Sequence, residues 1–352
     1  MCHLAGYIGK ENCIPLLLDS LEIQESIIGA QATGLAFIEN HNVYMEKYIG
    51  PVKRFRELHQ LKNEPTIGIG HTRYAIKNVR LTETNTQAKA HPFWNSNELF
   101  VTMHNGTLTN YKQFVSDLEE KGYKFRSKSK FFDKNLNQEV VDYCDSEIFS
   151  YLLEEELKKT TDIRKVIKNS CKDFQGHFAF VVLHPKYPEQ IFLANWMQPM
   201  YLGYSEESTF FSSFEIGFSG IEKILTYKCQ PPHNVLITLS EGDILIERLL
   251  NHREPPEFTP NETEFKEVIL NAMKNNHNDI ASIWVFIQNN SKDIGLSPDE
   301  FEQLSSINGY TFSPLIYKYL LEMGKEKRVV RKLEYVWEGG IKETPRYKFY
   351  SK

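Results

Sequence analysis

Short apolar runs that alternate with helical stretches constrain the fold of this 352-residue chain more than any other feature. Runs of about four to eight apolar residues are typical of strands. Between them, residues such as Phe149, Leu153 and Leu157 recur at the spacing of one helix face. The order mixes hairpins with helix pairs, which predicts antiparallel sheets flanked by helices. The strands predicted before residue 200 are Leu4 to Ile8, Gly34 to Ile38, Thr66 to Thr72, Leu99 to Met103, His177 to Leu183 and Gln190 to Ala194.

A proline-rich stretch divides the chain. Pro255, Pro256 and Pro260 lack a backbone N–H and cannot donate to a helix or a sheet ladder. They predict a linker between a first domain at residues 2–252 and a second domain at residues 261–352. A chain of this length commonly divides in this way.

The second predicted domain has a helical pattern that ends in a hairpin. Ser297, Pro298 and Glu300 fit a capping box with proline at the first helical position, which predicts a helix start. After a further helix to Met323, two strand-like stretches flank Gly339-Gly340. Helices followed by a terminal hairpin predict a small helical, winged-helix-like domain.

The composition argues against several functional classes. A formal net charge of −5 gives no whole-surface attraction to nucleic acid or acidic membranes. No run of about 18 apolar residues predicts a membrane span, and no secretory signal is visible, so we expect a cytoplasmic protein. Five widely spaced cysteines form no Cys-x-x-Cys pair, and no His-x-x-x-His spacing predicts a metal site. We expect neither a metal nor a cofactor.

Cys2 is the cysteine with a distinct chemical interpretation. Removal of Met1, which the small Cys2 permits, would leave a thiol and an α-amine on one residue. The unperturbed pKa of an α-amino group is roughly 7.7–8.0, so this amine can accept the thiol proton near neutral pH. A cysteine at this position is equally compatible with chance, and the other motifs decide between the two interpretations.

Five segments occur in an order that resembles a known family. They are Met1 to Gly9, Gly70 to Ala75, Ala90-His91-Pro92, His104 to Tyr111 and Asp145-Ser146-Glu147. Over roughly residues 2–250 they resemble the class II glutamine amidotransferases, above all the glutaminase domain of glutamine–fructose-6-phosphate aminotransferase. The resemblance implies an α+β fold, the four-layer α/β/β/α sandwich of the N-terminal-nucleophile hydrolases. It also implies an enzyme that hydrolyses the side-chain amide of glutamine through a thioester on Cys2.

The resemblance assigns roles to further residues. The side-chain amide of Asn105 and the backbone N–H of Gly106 would stabilise the oxyanion that thiolate attack creates. A plain Asn-Gly turn is the alternative. Arg73 would pair with the α-carboxylate of glutamine, and Asp145 with its α-ammonium group. Asp145 also precedes a predicted helix and is a candidate helix cap, and His91 is a candidate to line the glutamine pocket.

Three features depart from the family pattern. His3 stands where the family usually has glycine. Ile76-Lys77-Asn78 replaces a segment that in relatives often carries threonine and glycine, which keeps another amide open as the substrate. Residues Ser127 to Tyr143 make a longer connection than the family pattern leads us to expect, and we interpret them as an insertion.

The partner of the reaction is predicted to be a separate ammonia-acceptor enzyme. Only about 90 residues follow the linker, and no glycine-rich phosphate loop marks a fused synthetase. From Glu322 onward, basic residues outnumber acidic ones and alternate with aromatic residues, so nucleic-acid binding and partner docking are both open for the tail. An inactive regulatory subunit is a further alternative, although the intact set of site residues argues against it.

Overall fold

The computed structural model describes residues 2–75, 85–133, 137–338 and 340–352. Within these ranges, most strands belong to two large antiparallel sheets that pack face to face. Helices cover the outer face of each sheet. The structure therefore confirms the predicted α+β fold with four layers in the order α/β/β/α.

The first sheet has seven strands among the described residues, with the amino-terminal strand at its centre. In spatial order they are β13 (Tyr227–Cys229), β11 (Tyr201–Ser205), β12 (Ser208–Ser212), β1 (His3–Gly9), β4 (Ile67–Arg73), β2 (Ala32–Glu39) and β3 (Asn42–Tyr48). In the register of β1 and β4, His3 lies opposite Thr72. This register brings Cys2, which precedes β1, to the carboxyl end of β4.

The second sheet has six strands within the described ranges. In spatial order they are β15 (Asp243–Arg248), β14 (Asn234–Ser240), β10 (Ile191–Trp196), β9 (Gly176–Leu183), β6 (Val101–Leu108) and β5 (Phe93–Trp94). In the pairing of β6 with β9, Asn105 lies opposite Ala179 and Gly106 opposite Phe178. The two residues predicted to hold the oxyanion are thus fixed by the register of β6 with β9.

A core of aliphatic side chains lies between the two sheets. Leu4 of the first sheet belongs to the same buried cluster as Met103 and Val181 of the second. Burying one such side chain contributes about 1.5–3 kcal/mol to folding. Because side chains alternate along a strand, Tyr7 of β1 points to the opposite face and packs in the cluster beneath the first helix.

Helices form the two outer layers of this body. The described ones are α1 (Cys13–Ile28), α2 (Val52–Leu58), α3 (Tyr111–Glu120), α4 (Glu147–Leu157) and α5 (Ile163–Cys171). Helix α1 begins where Asn12 caps it, with the side-chain oxygen accepting from the Ile14 N–H at 3.0 Å. Leu17 of α1 packs on the first sheet, and Phe149 and Val166 of α4 and α5 pack on the second. None of the helices in the described ranges is both long and apolar enough to cross a membrane.

The stretch interpreted as an insertion forms a separate hairpin. Strand β7 (Ser129–Asp133) pairs with β8 (Gln138–Asp142) outside both large sheets. The start of the hairpin is tied to α4, because the backbone N–H groups of Arg126 and Ser127 each donate to the Glu147 carboxylate at 2.9 Å. The hairpin leads directly into the loop before α4.

Residues 261–352 form helices followed by a hairpin, in the predicted order. They are α6 (Glu262–Lys274), α7 (Ile280–Asn289), α8 (Pro298–Glu302), α9 (Ser313–Lys325), β16 (Val329–Glu338) and β17 (Ile341–Ser351). The capping box is present, since Ser297 Oγ accepts from the Glu300 N–H at 3.3 Å and the Glu300 carboxylate accepts from the Ser297 N–H at 2.8 Å. The hydrophobic cluster of this region includes Ile28 and Phe214 of the body. The predicted second domain therefore packs closely on the first.

Candidate active site

Cys2 lies buried at the start of β1, and both its nitrogen and its sulfur have fixed neighbours. The backbone nitrogen donates to Oδ1 of Asn105 at 2.9 Å. The sulfur accepts from the backbone N–H of Tyr74 at an N···S distance of 3.4 Å and lies 3.7 Å from the Tyr74 carbonyl oxygen. The Tyr74 N–H is placed to stabilise a thiolate on Cys2, because hydrogen bonds to charged acceptors are the stronger ones.

Asn105 is fully buried on β6, and its two amide atoms have different environments. Oδ1 accepts the hydrogen bond from the Cys2 nitrogen. Nδ2 has no hydrogen-bond partner among the described residues. A buried amide N–H₂ group without a partner is costly, so this donor is available to an acceptor that enters the site.

Gly106 occupies a position that glycine alone fits. Its φ is +144°, which L side chains rarely adopt. A Cβ on Gly106 would lie 2.1 Å from the carbonyl oxygen of His177 on the paired strand. The Asn-Gly turn considered from the sequence is wrong, because both residues lie within β6.

Arg73 and Asp145 lie on either side of Cys144. The Arg73 guanidinium, at the end of β4, donates from Nη1 to the Cys144 sulfur at 3.5 Å. Asp145 follows directly, and its Oδ2 accepts from the Leu108 N–H at 2.9 Å. Ser146 occupies the cap position of α4, so the carboxylate of Asp145 is bound to β6 rather than capping the helix.

Two neighbours of the predicted residues were not identified from the sequence. Tyr74 contacts the Cys2 sulfur through its backbone, and Cys144 contacts Arg73 through its thiol. Burial raises the pKa of the Cys144 thiol, against an opposing effect of Arg73, so Cys144 is an uncharged hydrogen-bonding group. The only sequence signal was adjacency, since Tyr74 follows Arg73 and Cys144 precedes Asp145.

The histidines around the site are buried and neutral. Burial lowers the pKa of His3 to about 3, and it lowers the pKa of His104 to about 4 against the opposing effect of Asp145. His71 and His91 stack with their ring centroids 3.9 Å apart, and burial lowers the pKa of both. Because these rings are buried with lowered pKa values, they are poor candidates for the general base near neutral pH.

Two departures from the family pattern have different outcomes. His3 is accommodated, with Nδ1 at 2.9 Å from Thr72 Oγ1 and its ring 5.8 Å from that of Phe214. Ile76-Lys77-Asn78 lies outside the described residues.

A family model described as a glutamine amidotransferase domain matches residues 78–216. Curated relatives include glutamine–fructose-6-phosphate aminotransferases. That of Chlamydia muridarum is 28% identical over 249 residues, which cover 71% of this chain and 36% of that protein. That of Helicobacter pylori is 30% identical over 217 residues, which cover 60% and 32% respectively. The chain thus spans about a third of the length of the curated relatives it matches.

Solved structures share the fold. The glutamine phosphoribosylpyrophosphate amidotransferase of B. subtilis matches with a TM-score of 0.57 and 19% identity, over 75% of this chain and 52% of that chain. A structure described as the allosteric regulatory enzyme of purine biosynthesis matches with a TM-score of 0.54 and 18% identity, over 78% and 58%. The chain carries a class II glutamine amidotransferase domain. Cys2 lies at the start of the central strand β1.

The described residues of the amidotransferase domain contain no group of side chains suited to hold a metal ion. Within the described ranges, no three His, Cys, Asp or Glu side chains converge as a metal ion would require.

Proposed function

We propose that the amidotransferase domain hydrolyses the side-chain amide of glutamine with Cys2 as an N-terminal nucleophile, and that the ammonia passes to a separate acceptor enzyme. The geometry of Asn105 carries the proposal. Its Oδ1 holds the Cys2 nitrogen, while Nδ2 of the same buried amide has no partner among the described residues. One side chain thus holds the nucleophilic residue and offers a donor beside it.

The first half of the reaction forms a thioester. After removal of Met1, the α-amine of Cys2 takes the thiol proton, directly or through one water. The sulfur attacks the amide carbon of glutamine, and the C=O electron pair moves to an oxyanion that accepts from Asn105 Nδ2 and the Gly106 N–H. The C–N bond then breaks, the ammonium group of Cys2 protonates the leaving nitrogen, and ammonia departs.

The second half regenerates the enzyme. Water gives a proton to the same α-amine and attacks the thioester carbon, and the same donors hold the second oxyanion. The C–S bond breaks, the thiolate recovers its proton from the α-ammonium group, and glutamate leaves. The neutral, buried histidines leave the α-amine as the base with a suitable intrinsic pKa.

Recognition of glutamine as an amino acid is proposed for Arg73 and Asp145. A zwitterion presents a carboxylate and an ammonium group, which need a cation and an anion at neighbouring positions. Arg73 contacts Cys144, the residue immediately before Asp145, so the two charges lie close together. Asp145 is itself fixed by the N–H of Leu108, two residues beyond Gly106 on β6.

The separate acceptor is proposed from the architecture of the C-terminal region. In the described chain, residues 261–352 form helices and a hairpin that pack against the body. We propose that the acceptor reaction takes place outside residues 2–352. A copurifying enzyme that gains a glutamine-dependent amination activity with this chain would support the proposal. Full turnover by the isolated chain, unchanged by any copurifying protein, would make free ammonia the product.

We do not extend the proposal to nucleic acid. The comparisons give no support to such binding, and several basic side chains of the tail are committed within the chain. Arg328 pairs with Glu267 at 2.6 Å, and Lys348 pairs with Asp279 at 2.5 Å.

Release of glutamate and ammonia from glutamine tests the catalytic proposal. The protein should be one whose mass confirms the loss of Met1, compared with Cys2→Ala and with Cys229→Ala, a half-buried cysteine on the edge strand β13. We expect turnover in the wild type and in Cys229→Ala, and none in Cys2→Ala. If processed wild-type protein turns over another amide but not glutamine, the substrate assignment is wrong. If no amide reacts, alone or with a partner, a binding subunit is the better interpretation.

A further inference from the structure

The C-terminal hairpin reaches the residue that contacts the Cys2 sulfur. Arg346 of β17 is 2% exposed, and its guanidinium carbon lies 5.4 Å from the centre of the Tyr74 ring. Tyr74 packs against the hydrophobic cluster of residues 261–352. The backbone N–H of the same Tyr74 donates to Cys2 at 3.4 Å. One residue therefore connects the C-terminal region with the nucleophile.

The position of Arg346 is strongly constrained. It pairs with Glu338 on the neighbouring strand, and its Nη1 lies 3.6 Å from Asp279 Oδ1. The guanidinium packs against the backbone of Gly29 at the end of α1. A Cβ at this position would lie only 2.6 Å from Arg346 Nη2. Replacing this buried arginine by an apolar residue is costly, because its charge-assisted pair with Glu338 is lost, although Asp279 keeps its pair with Lys348.

A second contact joins the same two regions beside Cys2. His3, the residue after the nucleophile, packs against Phe214, and Phe214 makes an edge contact with Tyr317 of α9 at 5.6 Å. Two neighbours of Cys2 are thus connected to the C-terminal region: Tyr74 contacts Arg346 directly, and His3 is connected to Tyr317 through Phe214. This region forms part of the wall of the site.

We propose that Arg346 is a positioning residue for the Cys2 site: it holds the Tyr74 ring, and so keeps the Tyr74 backbone N–H on the Cys2 sulfur. The proposal rests on the proposed function only for the identity of the nucleophile. The hydrogen bond favours the thiolate, so displacing Tyr74 lowers the reactivity of the sulfur. Recognition of glutamine, which we assign to Arg73 and Asp145, does not depend on this hydrogen bond.

Alkylation of Cys2 by iodoacetamide, followed peptide by peptide with mass spectrometry near neutral pH, tests this independently of turnover. In Arg346→Met we expect the rate at Cys2 to fall about tenfold, the scale of one hydrogen bond to a charged group. Arg331→Met is the matched control, since Arg331 stacks on Tyr347 at 4.4 Å in the same hairpin but is exposed. It should alkylate at the wild-type rate.

Two further variants separate positioning from a general loss of structure. Arg346→Lys keeps the charge but not the planar fork, and its rate at Cys2 should lie between those of the wild type and Arg346→Met. In the background of Tyr74→Leu, Arg346→Met should have no further effect, because two changes in one chain of contacts are not additive. Turnover should show a lower kcat with a smaller change in the KM for glutamine.

The outcomes are distinguishable. A wild-type alkylation rate in folded Arg346→Met overturns the proposal. If Arg346→Met loses its cooperative unfolding transition, a wild-type rate in folded Arg346→Lys overturns it instead. Absence of glutamine turnover with the expected alkylation pattern would refute the proposed function and leave the role of Arg346 intact.

Discussion

The two ends of the proposed glutamine site are built differently. The reaction end, which consists of Cys2, Asn105 and Gly106, lies in or beside the interior strands β1 and β6, and Cys2 and Asn105 are 8% and 0% exposed. The recognition end, which consists of Arg73 and Asp145, lies at the end of β4 and just before α4, and both residues are partly exposed.

This difference matches the two tasks. An oxyanion needs donors that are fixed before the reaction, and strand register in a buried sheet supplies that rigidity. Binding an amino acid needs charges that solvent and substrate can reach. Substitutions at the reaction end should therefore lower kcat, whereas those at the recognition end should mainly raise KM.

Asn105→Ala tests the reaction end with the largest expected effect. Loss of one oxyanion donor costs about 2.7–4 kcal/mol of barrier, or roughly 100- to 1,000-fold in kcat. Steady-state kinetics with glutamine measure it.

Asn195→Ala is the matched control for that substitution. Asn195 is a buried asparagine on β10, and it faces the same Ala179 from the other side of β9. Its side chain bonds only to Gln198 among the described residues, so its loss should lower the melting temperature with a far smaller change in kcat. Equal losses of kcat in both variants would show that packing, not a donor, is measured at Asn105.

Arg73→Met tests the recognition end. Losing a charge-assisted pair to the α-carboxylate should raise the KM for glutamine about 10- to 100-fold, with a smaller change in kcat. The comparison substrate is 4-aminobutanamide, which is glutamine without its α-carboxylate. Wild-type enzyme should discriminate strongly between the two amides, and Arg73→Met should not. Unchanged discrimination would remove Arg73 from carboxylate recognition.

The sequence predicted the strands of this site well because they are buried on both faces. Apolar runs at Leu4 to Ile8 and His177 to Leu183 correspond to β1 and β9 within a residue or two. The run Leu99 to Met103 was too short for β6 (Val101–Leu108), so the pattern placed Asn105 after the strand, whereas it lies within it. The roles of Arg73 and Asn105 came from the family resemblance and not from local pattern. Elements with more polar patterns, such as β3 and α2, were not predicted.

The contacts between distant segments could not be predicted from local pattern. Tyr74 and Cys2 are 72 residues apart, and their contact depends on the register of β1 with β4. Arg346 was grouped with the basic tail as a candidate nucleic-acid contact, yet it is buried. Arg346 pairs with Glu338 and Asp279, and the pair with Asp279 forms only when the hairpin packs on α7. Local sequence pattern therefore does not show that Arg346 is buried and paired.

Gly106→Ala tests whether strand register alone fixes the reaction end. Both Gly106 and Gly122 have positive φ, at +144° and +89°, and alanine in either place carries a backbone cost of about 1–3 kcal/mol. At Gly122 no described atom lies within 4 Å of an added Cβ, whereas at Gly106 the His177 carbonyl oxygen lies at 2.1 Å. Urea unfolding should show Gly106→Ala to be less stable than Gly122→Ala by a further 1–3 kcal/mol or so. Equal losses would mean that β6 and β9 separate easily.

His104 joins the two ends and gives the smallest expected effect. It precedes Asn105 on β6, and its Nδ1 lies 2.9 Å from Ser146 Oγ beside Asp145. Burial lowers its pKa from 6.5 to about 4, against the opposing effect of Asp145, so the unfolded chain takes up this proton before the folded one. The stability that neutral His104 contributes is therefore present above pH 6.5 and is lost as pH falls toward 4.

His104→Gln should reduce the slope of unfolding free energy against pH in that window by about 1.4 kcal/mol per pH unit. An unchanged slope in His104→Gln would mean that the ring takes up its proton equally in the folded and the unfolded chain.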